Sequence, residues 1–466
     1  MPGGKGVALV VSPERAFARQ GGLTMLTLLG AAQHFCDDIS RRNFLKIGAF
    51  GAGLTLAEML RARALAAKAS GKPASNKAAI MIYLPGGPSH MDMYDLKPDA
   101  PKEFKGEFNP IATNVPGIQV CEHMPLQAKM FDKLAVVRSV VSVDEHSDSL
   151  VMTGYPERDN RTANHPSFGS VVSKVRGAAN AEVPPFVSLR GMSRYGTEPG
   201  YLGIAHRPFT PGGAALQNLR LPGGVSLDRL EQRKALVAGF DDLRRDVDVA
   251  GMIRGLDAAT ERALSVLTSS KLLEALDISR EPDRVRDRYG DGKPYQYQYD
   301  GAPTVNDQLL MARRLVEAGV RCVTLSYGRW DSHGQNFTSL KRQLPQVDKG
   351  VSNLIGDLHE LGLDKDVVTV MWGEFGRTPK INGGAGRDHW SPVMSALVAG
   401  GGLKMGQAVG ASTARGERPK ERPITAPQLL ATLYKALGID PSQTFPSGSG
   451  RPMYILDDRD PVSELL

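Results

Sequence analysis

Four short stretches of this 466-residue chain bring carboxylates and imidazoles together at spacings that suit a cation: residues 88–95 (PSHMDMYD), 330–334 (WDSHG), 373–379 (GEFGRTP) and 386–390 (GRDHW). The candidate metal ligands are Asp92, Asp331, His333, Glu374 and Asp388. Carboxylate oxygens mixed with imidazole nitrogens suit a divalent metal, Zn, Mn, Mg or Ca. Each stretch taken alone has a plainer reading. Asp331 and His333 could cap a helix and face solvent, and Glu374 could be neutralised by Arg377 as a buried ion pair. Their joint placement is what points to a metal or anion site.

A fifth stretch, residues 144–155 (DEHSDSLVMTGY), sets polar groups ahead of an apolar helical turn. Ser147 or Ser149 at that helix start could serve as a nucleophile, because helix amides and a nearby metal both stabilise an alkoxide; plain helix capping is the alternative. His146 and His389 are the candidates to assist a leaving group. Arg377 and Arg387 are the candidates to hold a sulfate or phosphate oxygen through paired hydrogen bonds.

These residues need elements that make them converge. Residues 78–84 (AAIMIYL) form a continuous apolar run ending in Pro85-Gly86-Gly87-Pro88, the pattern of a buried parallel strand that delivers a loop at its carboxyl end. Runs at 134–137, 186–189, 321–327, 367–372 and 394–398 repeat it. Helical patterns lie between them, notably at 306–318, 340–361 and 426–437. Alternating strand and helix predicts an α/β fold with a doubly wound, mainly parallel sheet and helices on both faces, in which ligands sit beyond the strands' carboxyl ends. The charged, nearly strandless segment 226–289 reads as a helical insertion.

Charge and cysteine content narrow the function. Lys plus Arg exceed Asp plus Glu by 57 to 50, and residues 1–66 hold 8 of those bases and 4 of those acids, so the remainder is only mildly basic. No basic run interleaved with aromatics appears there, which argues against a nucleic-acid partner. Of the three cysteines, none makes a CxxC spacing, and Cys322 lies in an apolar run as a buried thiol would. Ser40-Arg41-Arg42-Asn43-Phe44-Leu45-Lys46, followed by a Gly/Ala-rich apolar stretch and Ala64-Leu65-Ala66, fits a twin-arginine export signal with a small-residue cleavage site. The expectation is a signal region at 1–66 recognised by the twin-arginine translocase, and one domain at 67–466 working in the periplasm or otherwise outside the cytoplasm.

With these blocks in view, the chain is similar to the family catalogued as domain of unknown function 1501, which is labelled sulfatase-like and placed in the alkaline phosphatase superfamily. The resemblance runs from Cys36-Asp37-Asp38-Ile39-Ser40-Arg41-Arg42 nearly to the carboxyl end, and is strongest at Gly86-Gly87-Pro88, Trp330-Asp331-Ser332-His333, residues 373–379 and residues 386–390. It implies an alkaline-phosphatase/sulfatase-like sheet with ligands at strand ends. It further implies that Asp331 and His333 hold one metal, that Glu374 stands where an Asp usually holds a second, and that His389 completes the first metal or contacts the leaving oxygen. Asp92 corresponds to the acidic ligand after the first strand. Thr153-Gly154 resembles the end of the helix that begins with the nucleophile in sulfatases.

The chain departs from that pattern in two places. No Cys or Ser stands in a CxPxR or SxPxR context, so the formylglycine of ordinary sulfatases is not expected, and Glu374-Phe375 replaces an Asp-His pair. The resulting expectation is an exported metal-dependent hydrolase of a small-molecule or polysaccharide phosphate or sulfate ester. Its rival is a non-catalytic envelope protein that binds a sulfated or acidic polysaccharide.

Overall fold

The apolar runs assemble into one eight-stranded sheet. The computed structural model describes residues 76–180, 182–189, 193–212, 270–294 and 303–466. The signal region expected at 1–66 lies outside them, as does most of the insertion expected at 226–289. The described end of that insertion is helical, at Ser270–Leu276 and Asp283–Tyr289.

In chain order the strands of the main sheet and of the site are β1 (Ala78–Tyr83), β2 (Leu134–Val141), β3 (Phe186–Ser188), β4 (Cys322–Ser326), β5 (Val367–Trp372), the two-residue pair β6 (Gly376–Arg377) and β7 (His389–Trp390), then β8 (Met394–Gly400), β9 (Gln407–Val409) and β10 (Ile424–Thr425). The main sheet runs β9-β2-β8-β5-β1-β4-β3, with β10 also pairing with β2. Every pairing is parallel except the two made by β8, which is antiparallel to both β5 and β2. The principal helices are α1 (Ser149–Thr153), α2 (Phe168–Arg176), α3 (Asp307–Glu317), α4 (Asn336–Glu360) and α5 (Ala426–Ala436).

β1 is central and buried at all six positions. Its alternation divides the core in two. Ile80 and Ile82 pack with Leu309, Leu344 and Leu354 of α3 and α4, whereas Ala79, Met81 and Tyr83 pack with Val171 of α2 and Leu430 of α5. This is the doubly wound, mainly parallel sheet with helices on both faces that the strand and helix pattern predicts. Helix α5 starts in a reciprocal cap: Thr425 Oγ1 accepts from the Gln428 amide at 3.3 Å, and Gln428 Oε1 accepts from the Thr425 amide at 3.2 Å. Among the described residues no helix is long and apolar enough to cross a membrane. Cys121 and Cys322 are free and buried.

Strand register brings three strand ends together. Tyr83 lies opposite Ser326 on one side and Trp372 on the other, so β1, β4 and β5 end at one level. The loops that leave them therefore share one edge of the sheet. They are held in close contact by the Gly86-Gly87 turn, where both residues have positive φ (98° and 80°). A Cβ on Gly86 would fall 2.5 Å from the Asp331 amide nitrogen, and one on Gly87 would fall 2.5 Å from the Phe375 ring. Only glycine tolerates both the conformation and the approach.

Candidate metal centre and cleft

Asp331, five residues beyond the end of β4, is the hub of the site. Its Oδ1 accepts from the Arg377 guanidinium and lies 2.9 Å from His389 Nε2 and 3.1 Å from His333 Nε2. Those two imidazole nitrogens are themselves 3.2 Å apart. Burial alone would push the Asp331 carboxyl up, but Arg377 and His389 hold it down to about 2. His389 is lowered by burial, against the pull of Asp331, which favours the neutral imidazole. His389 is delivered by the short β6-β7 pairing, in which it lies opposite Arg377.

A third imidazole completes the group. His146 comes from the loop between β2 and α1, and its ring centroid is 4.8 Å from that of His389. One ligand atom each from His146, Asp331 and His389 lie within 4.8 Å of one another. The Phe375 ring, buried and 4.4 Å from His389 and 5.8 Å from His146, packs between these histidines and the scaffold. The donor chemistry fits a divalent cation. Two or three imidazole nitrogens converge with one carboxylate oxygen, and His333 turns its far nitrogen, Nδ1, to Asp388 Oδ1 at 2.7 Å, the outer contact that ligating histidines usually make.

Next to this group is a cleft of about 490 Å³ lined by Tyr83, Pro85 and Gly86 from the β1 end, Asp331 and Glu374 from the β4 and β5 ends, and His146, Ser147 and Asp148 from the α1 approach. Glu157, Arg194, Tyr195 and Arg329 form the rest of its wall, with Ser193. Glu374 is 4% exposed; its Oε1 accepts from the Gly86 amide at 2.8 Å, while Oε2 is enclosed with no hydrogen-bond partner. Burial, opposed by its own backbone amide, the Gly86 amide and the nearby Tyr83 hydroxyl and reinforced by Asp148, pushes Glu374 up to about 7. Asp148 is pushed up to about 6 by burial, against a hydrogen bond from Ser193. A half-satisfied carboxyl at the floor of a polar cleft is costly, and a proton or a cation must offset it.

The other residues singled out from the sequence are placed differently. Asp92 and Arg387 are 1% and 0% exposed and pair with each other at 2.8 and 3.0 Å. Asp92 also accepts from Ser89 at 2.6 Å and Asn336 at 2.8 Å, and Arg387 donates to the carbonyls of Thr378, Pro379 and Phe104. Both charges are spent inside the scaffold, so Asp92 offers no free oxygen to a metal and Arg387 no free N–H to an anion. Arg377, also 0% exposed, donates to the carbonyls of Gly86, Gly87 and Arg387 besides Asp331, and so fixes the loops instead of lining the cleft. The alternative of an Arg377–Glu374 ion pair is not what forms; Arg377 pairs with Asp331.

Ser149 is fully buried in α1, donating to the Tyr155 carbonyl at 2.8 Å and accepting from Asn160 at 3.0 Å; it faces no cleft. Ser147 does line the cleft. Asp388 is exposed and holds the back of His333. Sequence reading missed Arg194, Arg329, Tyr195, Glu157 and Phe375. Only Phe375 stood in a block with a signal, between Glu374 and Arg377.

A family model described as "Protein of unknown function (DUF1501)" matches residues 76–466. No curated protein matches the chain. Among solved structures, the lipoteichoic acid synthase LtaP from Listeria monocytogenes is 10% identical, with 83% of this chain and 76% of that chain covered and a TM-score of 0.34. The PsFucS1 sulfatase from Pseudoalteromonas sp. is 11% identical over 82% and 70% of the two chains, with a TM-score of 0.32. The phosphonate monoester hydrolase of Agrobacterium radiobacter is 11% identical over 78% and 74%, also at 0.32. At these scores the likenesses bear on neither substrate nor site.

Proposed function

The chain belongs to the DUF1501 family, and from that premise we propose that it is an exported metal-dependent hydrolase of a phosphate or sulfate ester. The observation that carries this reading is the convergence of His146, Asp331 and His389 at the mouth of a polar cleft beyond the carboxyl ends of three parallel strands. These three side chains would hold the cation, with His333 beside them. Their imidazole nitrogens favour Zn over Mn, Ca or Mg. The chemistry a divalent cation supplies in such a site is polarisation of an ester oxygen and a lowered cost of negative charge on the attacking oxygen.

The chain's own groups supply the rest. Arg194 and Arg329 in the cleft wall are suited to bind the anionic oxygens of a sulfate or phosphate group. Of the two serines in the cleft, Ser193 donates to Asp148, and Ser147, whose Oγ accepts from the Ser149 amide at 3.2 Å, is the candidate to attack, with water as the alternative nucleophile. Its hydroxyl proton needs an acceptor: Glu157, the carboxylate that the Ser147 side chain hydrogen-bonds, is the one beside it, and Glu374, pushed up to about 7 by burial, is the cleft carboxyl with the higher proton affinity. Phe375 and the Gly86-Gly87 turn keep the histidines and the floor in place. The export signal of residues 40–46 supports a site of action outside the cytoplasm.

A second reading keeps the cleft but not the chemistry: an envelope protein that binds a sulfated or acidic polysaccharide. The burial of Ser149 favours it, since the helix start at which sulfatases carry their nucleophile is here used up in internal hydrogen bonds. The deciding experiment is an ester panel, aryl and sugar phosphates and sulfates, run with zinc- and manganese-loaded protein and with Asp331→Asn. Turnover of at least one ester that the variant loses is expected. No turnover by the loaded protein, with retained binding of a sulfated polysaccharide, would leave the binding reading.

A further inference from the structure

We propose that Asp388 is a positioning residue, which fixes the tautomer of His333 so that its Nε2 presents a lone pair to the space shared with Asp331 and His389. The inference rests on the proposed metal centre, and adds a group whose action on it is indirect.

Asp388 and His389 are consecutive, and together they grip both ends of one imidazole. Asp388 Oδ1 is 2.7 Å from His333 Nδ1, and His389 Nε2 is 3.2 Å from His333 Nε2. An ionised carboxylate can only accept, so Nδ1 must carry the proton. In a neutral imidazole the other nitrogen then has none, and Nε2 becomes an acceptor. That nitrogen lies 3.1 Å from Asp331 Oδ1. Two acceptors at that distance repel unless a proton or cation lies between them, so the tautomer chosen at Asp388 prepares the other end of the ring for a cation.

The carboxylate is not a loose surface group, although it is about half exposed. Asn382 Nδ2 donates both to Asp388 Oδ1 at 3.2 Å and to the His333 carbonyl at 2.8 Å, tying the two residues together. The Asp388 amide donates to Thr378 Oγ1 at 2.9 Å, and its carbonyl accepts from the Thr378 amide at 2.8 Å. An outer acceptor of this kind typically changes metal affinity about 10- to 100-fold when removed. Its solvent exposure makes substitution tolerable to the fold, so the effect can be read apart from stability.

The test uses the full chain labelled with ¹⁵N-histidine, with His333→Gln to identify the His333 ring signals. In the metal-free protein, at a pH high enough to leave the ring neutral, His333 is expected as the Nδ1–H tautomer with the His389 Nε2–H facing its Nε2, and Asp388→Ala is expected to move it toward Nε2–H. Zinc affinity by chelator competition should weaken about 10- to 100-fold in Asp388→Ala and less in Asp388→Asn, whose amide oxygen can still accept. An unchanged tautomer in Asp388→Ala, or unchanged zinc affinity beside a wild type that does bind zinc, overturns the proposal. If the wild type binds no zinc, the metal centre itself falls, and the ring signals alone then judge whether Asp388 sets the tautomer.

Discussion

Glu374→Gln is the substitution whose effect can be worked most fully from the structure. The side chain is 4% exposed, one oxygen is bonded to the Gly86 amide, and the other has no partner. Burial raises its pKa from 4.5 to about 7. An acid whose folded value lies above its unfolded value favours the fold while protonated. That stability is fully present below about pH 4.5 and is lost as pH rises through about 7. The full loss is about 3.4 kcal/mol, of which about 0.8 is already gone at pH 5, leaving about 2.5 between pH 5 and pH 8. Glutamine keeps the shape and the acceptor for Gly86 but never ionises. In urea unfolding with chelator present, so that no cation masks the charge, the stability of the variant relative to wild type should therefore rise by about 2.5 kcal/mol from pH 5 to pH 8. Because the same two pH values are used for both proteins, most other titrations cancel. A relative stability that does not change with pH, or that falls, would refute the assignment of Glu374 as a destabilised, incompletely satisfied carboxyl.

Two further outcomes depend on how charges and hydroxyls are spent. Arg387→Met should destabilise the protein by about 3–5 kcal/mol by leaving the Asp92 carboxylate buried without its partner, and adding Asp92→Asn should recover a large part of that loss in chemical denaturation. Ser149→Ala should cost about 1–2 kcal/mol through its lost hydrogen bonds while leaving ester turnover unchanged, whereas Ser147→Ala should abolish turnover if serine is the nucleophile. Equal loss of turnover in both serine variants would mean that Ser149 does more than hold α1.

Six of the eight strands were legible because each contains a mainly apolar run, whereas Gln407–Val409 and Ile424–Thr425 are too short and too polar to stand out. The runs at 78–84, 134–137, 186–189, 321–327, 367–372 and 394–398 all fall on observed strands. Strand direction was not legible: Met394–Gly400 is antiparallel to its neighbours, and an apolar run reads the same either way. Helix α4 begins at Asn336, ahead of the expected 340, and continues through Pro345. Its early turn is fixed by tertiary bonds, such as Asn336 to Asp92, that no local pattern encodes.

For the site, the four strand-end blocks were visible as chemistry, and Asp331, His333 and His389 do meet. What the sequence could not tell is which charges are used internally. A buried arginine such as Arg377 or Arg387 differs from a ligand-binding one only by the carbonyls around it, which come from loops up to 291 residues away. Arg194 and Arg329 carry no local signal that sets them apart from other arginines, and they enter the cleft wall only because the fold brings a short helix at Arg194–Thr197 beside the loop after β4.

The central claim is that His146, Asp331 and His389 hold a divalent cation. Its most direct test is metal content after dialysis against zinc, measured by elemental analysis on the wild-type protein and on the Asp331→Asn, His389→Ala double variant. About one equivalent of zinc retained by the wild type and lost by a variant that still unfolds cooperatively is the predicted result. A wild type that retains no zinc, or a variant that retains as much, contradicts the account.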